Sequence, residues 1–101
     1  MWIVRRGLAG RGISFQDPVT RRFLRQRRFE VWADPEVNTV VYKKDASFTV
    51  EKGAERGVIT LKSVSYPHFA LRQNAFKLYI SRSDRTALFK KDSSFVVMPV
   101  E

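Results

Sequence analysis

Two kinds of side chain in this sequence have the type and grouping to do chemistry. The first is arginine. Arg21, Arg22, Arg25, Arg27 and Arg28 fall within eight residues, and Arg5, Arg6 and Arg11 lie near the start. Clustered guanidiniums are the electrostatic footprint for nucleic acid, a heparin-like glycan or an acidic lipid surface. Along a strand, alternation turns only part of such a run to one face. The second is aspartate. Asp45 and Asp92 each end a Lys-Lys-Asp run that is followed by a small residue, Ser and Phe. A carboxylate so placed can close an Asx-turn on the backbone two residues on, or accept hydrogen bonds from a ligand. The preceding lysines read as solvated neighbours.

The two aspartates hold the same place in a repeat. Leu24-Arg25-Gln26, Phe29 and the run 43–48 recur 47 residues later as Leu71-Arg72-Gln73, Phe76 and the run 90–95. Such a period marks a unit that cannot bury its own apolar face and must stack on copies of itself. The openings align at an offset of 46 (Ile13 on Ile59, Phe15 on Leu61), so one residue has been gained or lost in a Pro-containing turn, where insertion is best tolerated. Trp2-x-Val4-x-x-Gly7 matches Phe48-x-Val50-x-x-Gly53. Residues 1–11 therefore read as the closing strand of a preceding repeat, 12–57 as repeat one and 58–101 as repeat two of a single domain.

The elements that must position these residues are short. Ile13–Phe15 opens the first repeat and Phe23–Arg25, Phe29–Trp32, Val40–Tyr42 and Phe48–Val50 read as strands; Val58–Leu61, Leu71, Phe76–Ile80, Ala87–Phe89 and Phe95–Val97 follow in the same order in the second. Turn residues separate them at Asp17-Pro18 and Tyr66-Pro67. Apolar segments at this spacing, rich in β-branched and aromatic residues, predict an all-β fold of sandwich or barrel type. Phe29, Phe48, Phe76, Phe89 and Phe95 are expected in the core, with Trp32 and Tyr79 packed at equivalent positions. Tyr66, at a turn, is the candidate for stacking on a ligand ring.

Composition narrows the classes. A chain of 101 residues that is 44% hydrophobic supports one globular domain with a modest core. It has no cysteine and one histidine, so neither a disulfide framework nor a His-cluster metal site is expected, and no cofactor. No apolar run approaches the ~20 residues of a membrane-spanning helix. No signal peptide is evident, and the compartment stays open; excision from a secreted parent would make it extracellular. A phosphate-binding loop, an activated nucleophile and metal-ligand spacing are all missing from the pattern, which argues against an enzyme.

The ordered set of motifs resembles the AbfB-type arabinose-binding domain, carbohydrate-binding module family 42 of α-L-arabinofuranosidases. The signature is read in Gly7-Leu8-Ala9, Ser65-Tyr66-Pro67, the two Leu-Arg-Gln steps and the two closing runs Val41–Phe48 and Leu88–Phe95. The resemblance implies a β-trefoil of three repeats, of which this chain holds two and the closing strand of a third. It also implies that Asp45 and Asp92 line sugar pockets together with Gln26 and Gln73, which stand 19 residues earlier, where the family has His. Such carboxylates accept from adjacent sugar hydroxyls through charge-assisted bonds. Two repeats leave open edges and an uncovered core. The barrel is completed by association between copies, by further chain in a longer protein, or by the N-terminal strand as a cap; association is the favoured expectation.

The leading expectation is a non-catalytic carbohydrate-binding module, one shallow site per repeat, built on Gln26, Asp45, Tyr66, Gln73 and Asp92. The alternatives are a basic protein that binds a polyanion through Arg21, Arg22, Arg25, Arg27 and Arg28, and a protein-interaction module.

Overall fold

A computed structural model describes residues 2–53, 55–75 and 77–96. Phe76 and Val97, expected in the core and the last strand, lie outside the described residues. The chain runs β1 (Ile3–Arg6), β2 (Ile13–Gln16), β3 (Phe23–Arg27), β4 (Glu30–Asp34), α1 (Val40–Asp45), β5 (Phe48–Lys52), β6 (Val58–Ser63), β7 (Phe69–Asn74), β8 (Lys77–Arg82), α2 (Ala87–Asp92) and β9 (Phe95–Val96). The fold is all-β, as the pattern predicts. Strands β2-β3-β4-β8-β7-β6-β5 pair antiparallel in sequence around a ring, and β2 meets β5 to close it into a seven-stranded barrel. Strand β1 adds to β2 and β9 adds to β6 outside the ring.

Equivalent strands meet in equivalent register. Val4 faces Phe15 and Arg6 faces Ile13, as Val50 faces Leu61 and Lys52 faces Ile59. Ile13 faces Phe48 as Ile59 faces Phe95. The main core is Phe48, Leu61, Leu71 and Ile80, with Ile13, Phe15, Val31, Ile59, Phe69, Leu78 and Phe95 packed against it. A smaller cluster of Phe23, Tyr42 and Ala46 sits under Leu8 and anchors α1. At the approach of β1 to β2, Gly12 has φ +69°, and a Cβ there would lie 2.2 Å from the Phe48 carbonyl oxygen. Only glycine fits that contact.

Two expected strands are helices. Val40–Tyr42 and Ala87–Phe89 open α1 and α2, not further strands. Thr39 and Thr86 cap them, each hydroxyl accepting from the backbone N–H three residues on at 3.1 Å. That bond satisfies one orphan donor of the first turn. In each three-residue run a single side chain is buried, Tyr42 or Phe89, while Val40, Val41 and Leu88 are exposed. A run so short carries no period that separates strand from helix.

Phe29 is the other correction. It was expected in the core and is 43% exposed. With Arg28 it makes the two-residue connection between β3 and β4, and both have positive φ, 53° and 68°. Both central residues of a type I′ hairpin turn need φ > 0, which Asn-Gly usually supplies. Here a bulky ring is held at the hairpin tip, tied across to β8 by the Ile80 N–H donating to the Phe29 carbonyl at 2.8 Å.

Candidate functional site

Asp45 and Asp92 are the C-terminal residues of α1 and α2, and both are buried, 6% and 7% exposed. The helices turn them inward because Tyr42 and Phe89, three positions earlier, pack down on the same face. Neither carboxylate closes an Asx-turn. Each instead receives side-chain donors, and an arginine is first among them.

At the Asp45 centre, Arg25 Nη2 donates to Oδ2 at 2.9 Å, and Gln26 Nε2 donates to Oδ1 at 2.7 Å. Ser65, from the turn between β6 and β7, donates its hydroxyl to Oδ1 at 2.5 Å. Arg25 also lies over the Tyr42 ring at 5.0 Å and within 4.0 Å of the Asp34 carboxylate. Tyr42 in turn donates its hydroxyl to the Asp34 backbone carbonyl at 2.9 Å, and burial pushes its phenol up from the ordinary 10.0. Gln26 reaches the other way as well. Its Oε1 accepts from the Phe29 N–H at 3.2 Å, so one amide links the carboxylate to the hairpin tip.

An aromatic surface adjoins this centre. The Phe29 ring lies 5.1 Å from both Tyr66 and Phe69, and Tyr66 and Phe69 are 5.6 Å apart. Tyr66, next to Ser65, is 42% exposed. Gln26, Asp45 and Tyr66 are therefore gathered in one place. A carboxylate with about four lone-pair positions retains one after accepting these three bonds.

The Asp92 centre is built differently. Arg72 Nη2 donates to Oδ2 at 2.9 Å, and the second donor is Asn74 Nδ2 at 3.1 Å. Gln73 does not join it. On strand β7 alternation places Arg72 and Asn74 on one face and turns Gln73 to the other, beside Leu71, where it lines an apolar cavity of about 670 Å³. The expected pairing of Gln73 with Asp92 is thus absent. Arg72 is further placed by Ser81, whose hydroxyl accepts from Nη1 at 3.2 Å, and by the Tyr79 and Phe89 rings. Its buried Nε has no hydrogen-bond partner among the described residues. Oδ1 of Asp92 accepts no hydrogen bond from a described residue.

The arginine run does not form one basic patch. Arg25 is committed to Asp45, Arg27 stacks on Trp32 at 4.8 Å, and Arg28 sits in the hairpin turn. Arg21 and Arg22 lie exposed before β3. Trp32, expected to pack, is 44% exposed under Arg27, while Tyr79 is half-buried. Residue types missed in the sequence are Arg25 and Arg72 as clamps on the aspartates, Asn74, and Ser65. The recurrence of Arg inside both Leu-Arg-Gln steps was the available signal for the clamps. Among the described residues no three His, Asp or Glu side chains gather as a metal site, and no helix is long and apolar enough to cross a membrane.

The profile of the family described as alpha-L-arabinofuranosidase B (ABFB) domain matches residues 1–97. The chain belongs to this family, carbohydrate-binding module family 42. Three solved structures share its fold. They are a mutant GH54 α-L-arabinofuranosidase soaked with 4-nitrophenyl α-L-arabinofuranoside, a GH54 α-L-arabinofuranosidase soaked with a cyclic sulfate inhibitor, and an arabinofuranosidase complexed with arabinofuranosyl-α-1,2-xylobiose. Each is 24% identical with a TM-score of 0.78, over 92% of this chain and 21% of the other. The chain thus spans about a fifth of the length of those proteins. No curated protein matches it.

Proposed function

We propose that this domain is a non-catalytic carbohydrate-binding module for arabinofuranose-type sugars. The observation that carries the reading is the joining of the Asp45 carboxylate to an exposed aromatic surface through Gln26 and Ser65. A sugar presents hydroxyls on its edge and C–H groups on its faces. A carboxylate with a free lone pair takes the first, and an exposed Tyr or Phe ring covers the second. The Asp92 centre serves as a second shallow site with Arg72 and Asn74 as its partners, and two weak sites gain by avidity on a branched polymer. Both aspartates are held in arginine ion pairs, which suits binding better than acid–base turnover.

The ring is read here as two repeats of a β-trefoil, β2–β5 with α1 and β6–β9 with α2, plus β1 as the closing strand of a third. The shared register supports it. Among the described residues β1 and β9 each pair along one edge only, and Val4 and Val96 are exposed beside the apolar cavity. Open edges and exposed apolar surface favour association, so a homo-oligomer is the expected state, checked by light scattering across a dilution series. The polyanion alternative through residues 21–28 has less support, because Arg25 is spent on Asp45.

The direct test is an amide NMR titration with arabinofuranosyl oligosaccharides. Shifts are expected at Gln26, Phe29 and Tyr66, insensitive to salt. Tyr66→Ala, an exposed change, should weaken binding about fivefold to tenfold with little effect on stability. Unmoved resonances at all three positions at saturating sugar would overturn the reading.

A further inference from the structure

A second concave surface shares no residue with either aspartate centre. It is a cleft of about 550 Å³ between β1, the loop from β2 to β3, and Glu36. Arg5, Arg6 and Arg21 line it, and none of them forms an ion pair with a described residue. We propose that this cleft binds the carboxylate of a uronic-acid unit on an acidic glycan. The proposal rests on the carbohydrate-binding reading above in taking the ligand to be a sugar.

Three features support it. First, one side chain links the two arginine positions, holding the Arg5 guanidinium and the Arg21 backbone. Gln16 Oε1 accepts from Arg5 Nη1 at 3.0 Å, while Gln16 Nε2 donates to the Arg21 carbonyl at 3.1 Å. A donor fixed before the ligand arrives, as the Arg5 guanidinium is, loses less freedom on binding, and a guanidinium fork matches a carboxylate with two parallel bonds.

Second, Arg21 stands in a left-handed conformation with φ 64°. No turn chemistry demands a large residue there, since glycine adopts it without strain. The surroundings over-determine it: the Arg21 N–H donates to the Asp17 carbonyl at 2.8 Å, and the Asp17 N–H donates to the Arg22 carbonyl at 2.9 Å. Strain held in place by neighbours, with a charged side chain delivered to a cleft, is a mark of a working position.

Third, the cleft is mixed in character. Leu8, half-buried, and Ile3 supply apolar surface for a ring face, and Glu36 adds a negative charge to the lining beside the arginines. A carboxylate at that place accepts from neutral hydroxyls and repels a densely charged polymer. A ligand with one charge at one end and hydroxyls at the other fits; nucleic acid or heparin does not.

The experiment is an NMR titration with a glucuronic-acid-bearing oligosaccharide, its carboxyl-reduced neutral counterpart, and a heparin fragment. The acidic sugar should move the Arg5, Gln16 and Arg21 amides, and the reduced one should not. Arg5→Gln and Arg21→Gly should each weaken acidic-sugar binding about tenfold. Arg21→Gly keeps the positive φ, so it spares the fold, and neutral arabinofuranoside shifts at Tyr66 should stay intact in both variants. An equal response to acidic and reduced sugars overturns the proposal, as does a heparin fragment that binds the cleft more tightly than the acidic sugar. Silence in the cleft with Tyr66 still responding to arabinofuranoside defeats this inference alone. Silence at both places defeats the carbohydrate reading with it.

Discussion

The Asp45 and Asp92 centres occupy equivalent positions and are held in different ways. Asp45 takes donors from two parts of the chain: Arg25 and Gln26 on β3, and Ser65 in the turn between β6 and β7. Among the described residues Asp92 takes donors from β7, Arg72 and Asn74. The first carboxylate therefore ties β3 to the turn between β6 and β7, while the second, among the described residues, ties α2 to β7. The arginines differ in the same sense. Arg25 has the Asp34 carboxylate within 4.0 Å. The equivalent neighbour of Arg72 is Ser81, which bonds Nη1 and leaves the buried Nε unpaired among the described residues. The two centres share the carboxylate–arginine clamp and differ in the donors around it.

That contrast is most exposed to removal of the carboxylates. Asp45→Ala strips Gln26 and Ser65 of their acceptor and leaves Arg25 only the Asp34 carboxylate at 4.0 Å, and is expected to cost about 3 kcal/mol in urea unfolding, the low end of the range for a broken buried ion pair. Asp92→Ala should cost less, because Asn74 is exposed and turns to water. Should Asp45→Ala leave the chain unfolded, Asp45→Asn and Asp92→Asn give the same ranking at lower cost. Equal losses would erase the distinction drawn here.

A gain is expected from repairing the weaker clamp. Ser81→Asp places a carboxylate where Asp34 stands beside Arg25, and should pair the Arg72 guanidinium, including its orphaned Nε. An unsatisfied buried donor costs about 1–3 kcal/mol, so a rise of about 1 kcal/mol in unfolding free energy is a conservative expectation. A loss of stability would mean that the two environments are less alike than their register suggests.

The smallest effect concerns the helix starts. Thr86 is backed by Asp84, whose carboxylate accepts from both the Thr86 hydroxyl and its N–H. These two bonds hold the Asp84 carboxyl below its usual 3.8. The folded value is lower than the unfolded one, so the support is complete above 3.8 and is lost as pH falls below it. Thr39 is backed instead by the Val37 carbonyl, which does not titrate. Amide exchange at Phe89 should therefore quicken in acid before exchange at Tyr42 does, and Asp84→Asn should abolish the difference. At the alkaline end the raised Tyr42 phenol acts in the opposite sense, and stability should decline as pH rises past 10.0.

Much of the fold was legible because strands and repeats leave local marks. Period-two apolar runs, Pro-containing turns and a 47-residue offset appear in the chain itself, and the register of β1 on β2 repeats that of β5 on β6. The helices were not legible. Val40–Tyr42 and Ala87–Phe89 look like strand by residue type, and their helical state depends on a threonine cap together with burial of a single ring. The candidate site was half legible. Gln26 reaches Asp45 across 19 residues as the spacing suggests, but Gln73, at the equivalent register position, lines the apolar cavity instead, and Asn74 donates to Asp92 in its place.

The sequence by itself determined the class of fold and the matched positions of Asp45 and Asp92, since each is written in residue type and interval. Which arginines remain free, which aromatics are exposed, and which donors reach each aspartate were decided by the barrel. Those outcomes depend on which face of a strand a side chain takes and on what another segment brings against it. Ser65 on Asp45, and Gln16 between Arg5 and Arg21, join different segments, and no local pattern encodes them.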